Sequence, residues 1–282
     1  MHMEMGLADT STGSTRHAQS RLQNRKVPFA SPQETEEVHR EVLDGLSALR
    51  DEEFRDFASR LVPTIPKAHF LGVRAEGIKA MARKLESEGK RAIFFATLPH
   101  FYHEENLLHA MLLSRMNDAP ACLQEVRRFL PYVTNWAVAD AIAPRVLLDY
   151  VPQLRADICT WLHDSNPYAV RVAIFFLMHF ALGENFSADD FGQVTMAAIH
   201  ASEMRTKASE GTEDLPYIEM MAAWYFQEAL VMRYEEAYSW LASVELPAPV
   251  FRMTIQKALD SRRLDFYQKD ELKDLRDQRH RR

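Results

Sequence analysis

Trp136 and Asp140 stand four residues apart in Asn135-Trp136-Ala137-Val138-Ala139-Asp140, a spacing that places indole and carboxylate on one helix face. Asp140 is the only formal charge between Val133 and Pro144, and Arg171 is the only one in the apolar run from Pro167 to Gly183. A lone buried ion is costly unless it is paired or faces a wet cavity. Two readings follow. In one, Asp140 and Arg171 form a structural ion pair beside a packed tryptophan. In the other they belong to a polar cleft, with Asp140 as catalytic carboxylate, Trp136 as a wall for a sugar or base, and Arg171 as a phosphate anchor. Trp224 shares a helix face with Tyr217 and Met221, and spacing alone makes it a core aromatic.

Other constellations point to less. His100, His103 and His109 lack an HExxH pattern and a cysteine partner, so they are expected on a helix surface and not at a metal. Glu104-Glu105, Asp189-Asp190 and Glu235-Glu236 are adjacent, point different ways on a helix, and read as solvated faces. No GxGxxG, Walker loop, GxSxG or CxxC occurs, which leaves dinucleotide, nucleotide, esterase and zinc-ribbon functions unsupported and implies no cofactor. Near the C-terminus, Lys257, Arg262 and Arg263 form either a phosphate-contacting patch on the rim of a cleft or part of an exposed helix laced with its own acids.

The elements that would position these residues are helical. Nine glycines in 282 residues, about 3% against a usual ~7%, disfavour Gly-rich turns and many short strands. Apolar residues recur at helical spacing through Val38, Val42, Leu43, Leu46 and Leu49, and again through Ile78, Met81, Ala82 and Leu85. Ser31-Pro32-Gln33-Glu34 is a helix start with capping-box chemistry, whereas residues 1–30 read as a disordered arm. Proline and glycine breaks then divide residues 31–282, read as one domain, into about a dozen helices. Helix pairs at roughly forty-residue intervals suit a HEAT-like all-α solenoid with a concave cleft; a compact non-repeat bundle is the alternative. Residues 167–183 and 133–144 are apolar almost all round, so each should be buried on several sides.

No uncharged run exceeds twelve residues, too few to span a bilayer, and the N-terminus has no secretory apolar region. Two cysteines, Cys122 and Cys159, cannot build a disulfide framework, and a cytoplasmic protein is expected. The formal net charge of −6 gives no global attraction to nucleic acid, although residues 252–282 carry ten Lys or Arg against six Asp or Glu. Any polyanion site is therefore a local patch. No isolated apolar stripe demands a partner subunit, so a monomer is expected.

Six segments taken together resemble a known family: LGVRAEGIKAMARKL at 71–85, EENLLHAMLLSRM at 104–116, NWAVAD at 135–140, PYAVRVAIFFLM at 167–178, YIEMMAAWYFQEAL at 217–230 and IQKALDSRRL at 255–264. In order and separation they resemble the AlkD-like DNA alkylation repair glycosylases, HEAT-like repeat proteins, over roughly residues 50–278. The resemblance implies hydrolysis of the N-glycosidic bond of N3- or N7-alkylated purines in duplex DNA held on the concave face. It implies a bacterial protein of the cytoplasm, associated with the nucleoid when acting on DNA. Asp140 matches the family's catalytic carboxylate, Trp136 and Trp224 its two cleft tryptophans, and Arg171 an arginine near the DNA backbone. The chain departs from the pattern around Trp224, where Glu219, Met220 and Gln227 stand in place of basic residues. The rival expectation is a non-catalytic helical module that binds structured DNA or a protein and keeps Asp140 only to pair with Arg171. Geometry discriminates: convergence of Trp136, Asp140 and Trp224 on an open cationic groove favours catalysis, and a sealed bidentate pair favours the module.

Overall fold

Ser31 opens the first helix as the sequence predicts. Its hydroxyl accepts the Glu34 N–H at 3.2 Å, the Glu34 carboxylate accepts the Ser31 N–H at 2.7 Å, and Pro32 sits in the first turn, where its missing N–H is not needed. The computed structural model describes residues 30–207 and 211–281, so the expected arm at 1–30 lies outside the described residues except for Ala30. Among the described residues there are fourteen α-helices and no strand. In chain order they are α1 (Pro32–Ser47), α2 (Glu52–Leu61), α3 (Ala75–Ser87), α4 (Arg91–Phe95), α5 (His103–Leu113), α6 (Ala119–Phe129) and α7 (Trp136–Ala141). They continue with α8 (Val151–Trp161), α9 (Pro167–Phe176), α10 (Asp189–Lys207), α11 (Leu215–Met232), α12 (Tyr234–Ser243), α13 (Ala248–Asp260) and α14 (Phe266–His280).

The helices alternate between two layers. α3, α5, α7, α9, α11 and α13 pack each against the next, while α8 backs α9, α10 and α12 back α11, and α14 backs α13. The architecture is the expected helical-repeat solenoid, in which each helix pair buries its apolar face only by stacking on its neighbours. α9 shows why its sequence is apolar all round: α7, α8 and α11 surround it, and Tyr168 to Phe176 are all buried. Beyond it the chain widens into a π turn, Leu177–Ala181, where His179 is exposed between buried neighbours.

The same stacking overturns two expectations about polar residues. His103 and His109 are buried, not on a helix surface, because α5 is covered by α3, α4 and α7, and His100, just ahead of α5, is buried with them on Phe94. His100 Nε2 and His109 Nδ1 meet at 2.9 Å, and the His109 ring stacks on Phe129 with centroids 4.0 Å apart. Burial lowers the pKa of His100 to about 3 and of His103 to about 4, so these rings are neutral core groups. Among the described residues no group of three or more His, Cys, Asp or Glu is gathered as a metal site. Glu104 and Glu105 are buried too. The Glu104 carboxylate accepts the N–H groups of Leu71, Gly72 and Val73 at 2.9, 2.7 and 3.2 Å, and Glu105 accepts from Tyr102 N–H and meets His39. Gly72 has a φ of 85°, and a Cβ there would strike the Asp51 carbonyl, so only glycine fits this grip. Asp190 is likewise buried against Arg155 at 2.6 Å, while Asp189, Glu235 and Glu236 are solvated as expected.

Candidate active site

Two asparagines place the central helices. Asn135 caps α7 by accepting the Val138 N–H at 3.1 Å, which fixes Trp136 as the first residue of the helix and Asp140 one turn later. Asn166 caps α9 by accepting the Tyr168 N–H at 2.9 Å, and its amide donates to the carbonyls of Leu130 and Val133 just ahead of α7. The two helix starts are thereby tied together, and Arg171, in the second turn of α9, faces Asp140.

The pair they form is bidentate. Arg171 Nε donates to Asp140 Oδ1 and Nη2 to Oδ2, both at 2.7 Å, while Nη1 donates to the Tyr217 carbonyl at 2.6 Å. The Arg171 side chain is 1% exposed, so its charge is balanced by partners and not by water; Asp140 keeps 20% of its side-chain surface. The carboxylate is therefore held rigidly but not sealed. Arg171 has no surface to offer a phosphate, and the role of backbone contact that resemblance gave it does not fit this geometry.

The other face of the guanidinium looks toward α11. Its Cζ lies 5.8 Å from the Trp224 ring centroid, and the Lys257 ammonium of α13 lies 4.7 Å from the same ring. Trp224 is thus flanked by two cations, whose attraction to the negative face of the indole holds the ring in place. It is half-buried, forming a wall and not the core aromatic that its spacing suggests. Trp224, Lys257, Met178, His179, Glu228 and Arg263 line an open cleft of about 740 Å³ between the π turn, α11 and α13. Successive helices of one layer thus carry Asp140, Arg171, Trp224 and Lys257. Trp136 is not on the cleft wall; its Nε1 donates to the Leu61 carbonyl at 3.1 Å, tying the indole to the end of α2.

The cationic rim is only partly free. Arg263 lines the cleft but pairs with Glu228, and Arg262 is exposed outside the lining residues. Glu219, one of the departures around Trp224, is buried against Arg205 at 3.1 Å and so puts no negative charge into the cleft; Gln227 does line it. His179 and Glu228 are functional candidates that motif reasoning passed over. A signal existed for one: His179 and Arg171 are the two basic side chains of the apolar run 167–183. Desolvation lowers the His179 pKa although its side chain reaches the surface, and the charges of Glu228 and Asp140 act the other way.

Comparison with known proteins places the chain in a family. The sequence matches the family described as DNA alkylation repair enzyme over residues 42–209, more than half of its length, a span that includes Trp136, Asp140 and Arg171. No curated protein and no solved structure matches it. With a family match that runs through the helices holding the Asp140–Arg171 pair, the chain belongs to the DNA alkylation repair enzyme family.

Proposed function

We propose that the protein is a DNA glycosylase that hydrolyses the N-glycosidic bond of N3- or N7-alkylated purines in duplex DNA. The observation that carries this reading is the Asp140 carboxylate, one-fifth exposed although clamped by Arg171, whose guanidinium lies against the cleft tryptophan Trp224. Alkylation makes the purine cationic, so it leaves as a neutral base and needs no general acid. What remains is to stabilise positive charge at C1′ as the bond breaks and to deliver water to it. A fixed carboxylate does the first by electrostatics, at no reorganisation cost. Two of its roughly four lone-pair sites face Arg171, and the others can orient the water. Trp224 supplies apolar surface against the deoxyribose, Trp136 braces α7 against the end of α2 below Asp140, and Lys257, Arg262 and Arg263 supply positive charge toward the phosphates. The same reading has a monomer in the cytoplasm acting without a cofactor. No helix among the described residues is long and apolar enough to cross a membrane.

The test is release of free 3-methyladenine and 7-methylguanine from methylated duplex DNA, wild type against Asp140→Asn, at low and moderate salt. Release that the substitution abolishes, with the helical fold and DNA binding intact, is expected. Full release by Asp140→Asn would remove the carboxylate from the mechanism. The bidentate geometry itself favours a second reading, a non-catalytic helical module binding structured DNA or a protein, in which the pair is only structural. That reading expects no base release from any methylated duplex.

A further inference from the structure

Lys257 stands apart from the paired cations of this half of the molecule, and from Arg262, which is exposed outside the cleft lining. Arg171 is paired with Asp140, Arg263 with Glu228, Arg205 with Glu219, Lys273 with Asp270 and Arg276 with Asp277. Among the described residues the Lys257 ammonium meets neither a carboxylate nor a hydrogen-bond acceptor; it lies half-buried on the cleft wall, against the face of Trp224. Burial holds its pKa below that of an ordinary lysine, with only Asp260 acting the other way. A lysine so placed has the two properties of a carbonyl-capturing amine, a larger neutral fraction and an open approach. The proposed excision would leave, at the same wall, a deoxyribose whose C1′ opens to an aldehyde.

We propose that Lys257 is the nucleophile of a second activity, capture of the abasic-site aldehyde as a Schiff base followed by cleavage of the strand on its 3′ side. This rests on the reading of the cleft as the place where C1′ is held. The neutral amine adds to C1′, a C–N bond forms and the carbonyl pair moves to oxygen; with one proton from the amine and one from solvent that oxygen leaves as water, giving the iminium. The iminium acidifies C2′. His179, exposed on the π turn of the same cleft, takes the C2′ proton, and the C–H pair forms an enamine. The nitrogen lone pair then re-forms the C–N double bond while the C1′–C2′ pair makes the C2′–C3′ double bond and expels the 3′ phosphate with the C3′–O bonding pair. Water hydrolyses the remaining imine, restoring Lys257 and leaving an unsaturated aldehyde on the other fragment.

The experiment uses the full chain and a duplex oligonucleotide carrying one abasic site, with and without sodium borohydride. A covalent adduct that maps to Lys257 is expected with borohydride, and strand incision without it. At saturating protein, Lys257→Arg keeps the charge and the stem but forms no stable imine, and trapping should fall roughly tenfold or more. A melting curve of the variant checks that it folds. His179→Gln should lose incision while retaining the adduct. No adduct above that of an unrelated lysine-rich protein, an adduct mapping elsewhere, or one undiminished in Lys257→Arg overturns the proposal; an adduct without incision overturns the elimination step. The abasic site is supplied ready-made, so the two readings fail separately. Trapping without alkylpurine release defeats the excision reading alone, and release without trapping defeats this one alone.

Discussion

Arg171 is the residue on which the site turns, although it is not itself open to a ligand. A guanidinium that is 1% exposed and satisfied by Asp140 and the Tyr217 carbonyl acts by fixing the carboxylate. Arg171→Ala should therefore lower base release by freeing Asp140, without altering the salt dependence of DNA binding. Were Arg171 a phosphate contact, the substitution would weaken binding to all sequences and reduce the salt slope. The change should also cost about 2–3 kcal/mol of stability, below the ~3–5 kcal/mol of a fully sealed pair, because Asp140 can regain water. Urea denaturation measures this. A loss of activity with no loss of stability would separate the pair from the fold.

At the scale of elements, α5 shows how context changes the meaning of a polar residue. The histidines on it and just ahead of it are neutral in the fold, with pKa values pushed to about 3 at His100 and about 4 at His103 from an ordinary 6.5 by burial. The unfolded chain binds protons below about pH 6.5 that the native state does not, so their contribution to stability is complete above that pH and declines as pH falls toward 4. Stability measured by denaturant should therefore drop between pH 7 and pH 5. His109, whose pKa burial also depresses, offers a control: His109→Phe keeps the stacking on Phe129 and should flatten part of that slope. An unchanged slope would place the titrating groups elsewhere. The buried Glu104 belongs to the same context, gripping three backbone N–H groups ahead of α3 from a position that the sequence makes look solvated.

At the scale of the whole molecule, a formal net charge of −6 must be reconciled with a polyanionic substrate. The solution in this fold is local. Lys257, Arg262 and Arg263 sit at one end of the helix layer that carries the cleft, and much other positive charge is absorbed in ion pairs such as Arg127–Asp157 and Arg155–Asp190. Arg262, exposed at the rim, should contribute about one unit to the salt slope of duplex binding, and Arg262→Ala should remove it evenly across sequences. Arg263 should contribute less, because Glu228 already holds it. Binding isotherms at several salt concentrations distinguish the two arginines; equal slopes for both variants and wild type would move the DNA to another face.

The choice between solenoid and compact bundle was left to the packing, but the sequence by itself determined the helical class, the position of the first cap at Ser31 and the oddness of Asp140 and Arg171. All of these follow from local periodicity and from the cost of a charge in an apolar helix, which residues near in the chain report. It did not determine that His100, His103, His109, Glu104 and Glu105 are core residues, because their partners His39, Leu71, Phe129 and Asn135 lie on other elements. Nor did it join Trp224 to Lys257 and Arg171, residues of three different helices that meet only when the layer stacks. Spacing fixes which face of a helix a side chain occupies; only the packing of neighbouring helices decides whether that face meets water, an ion pair or a cleft.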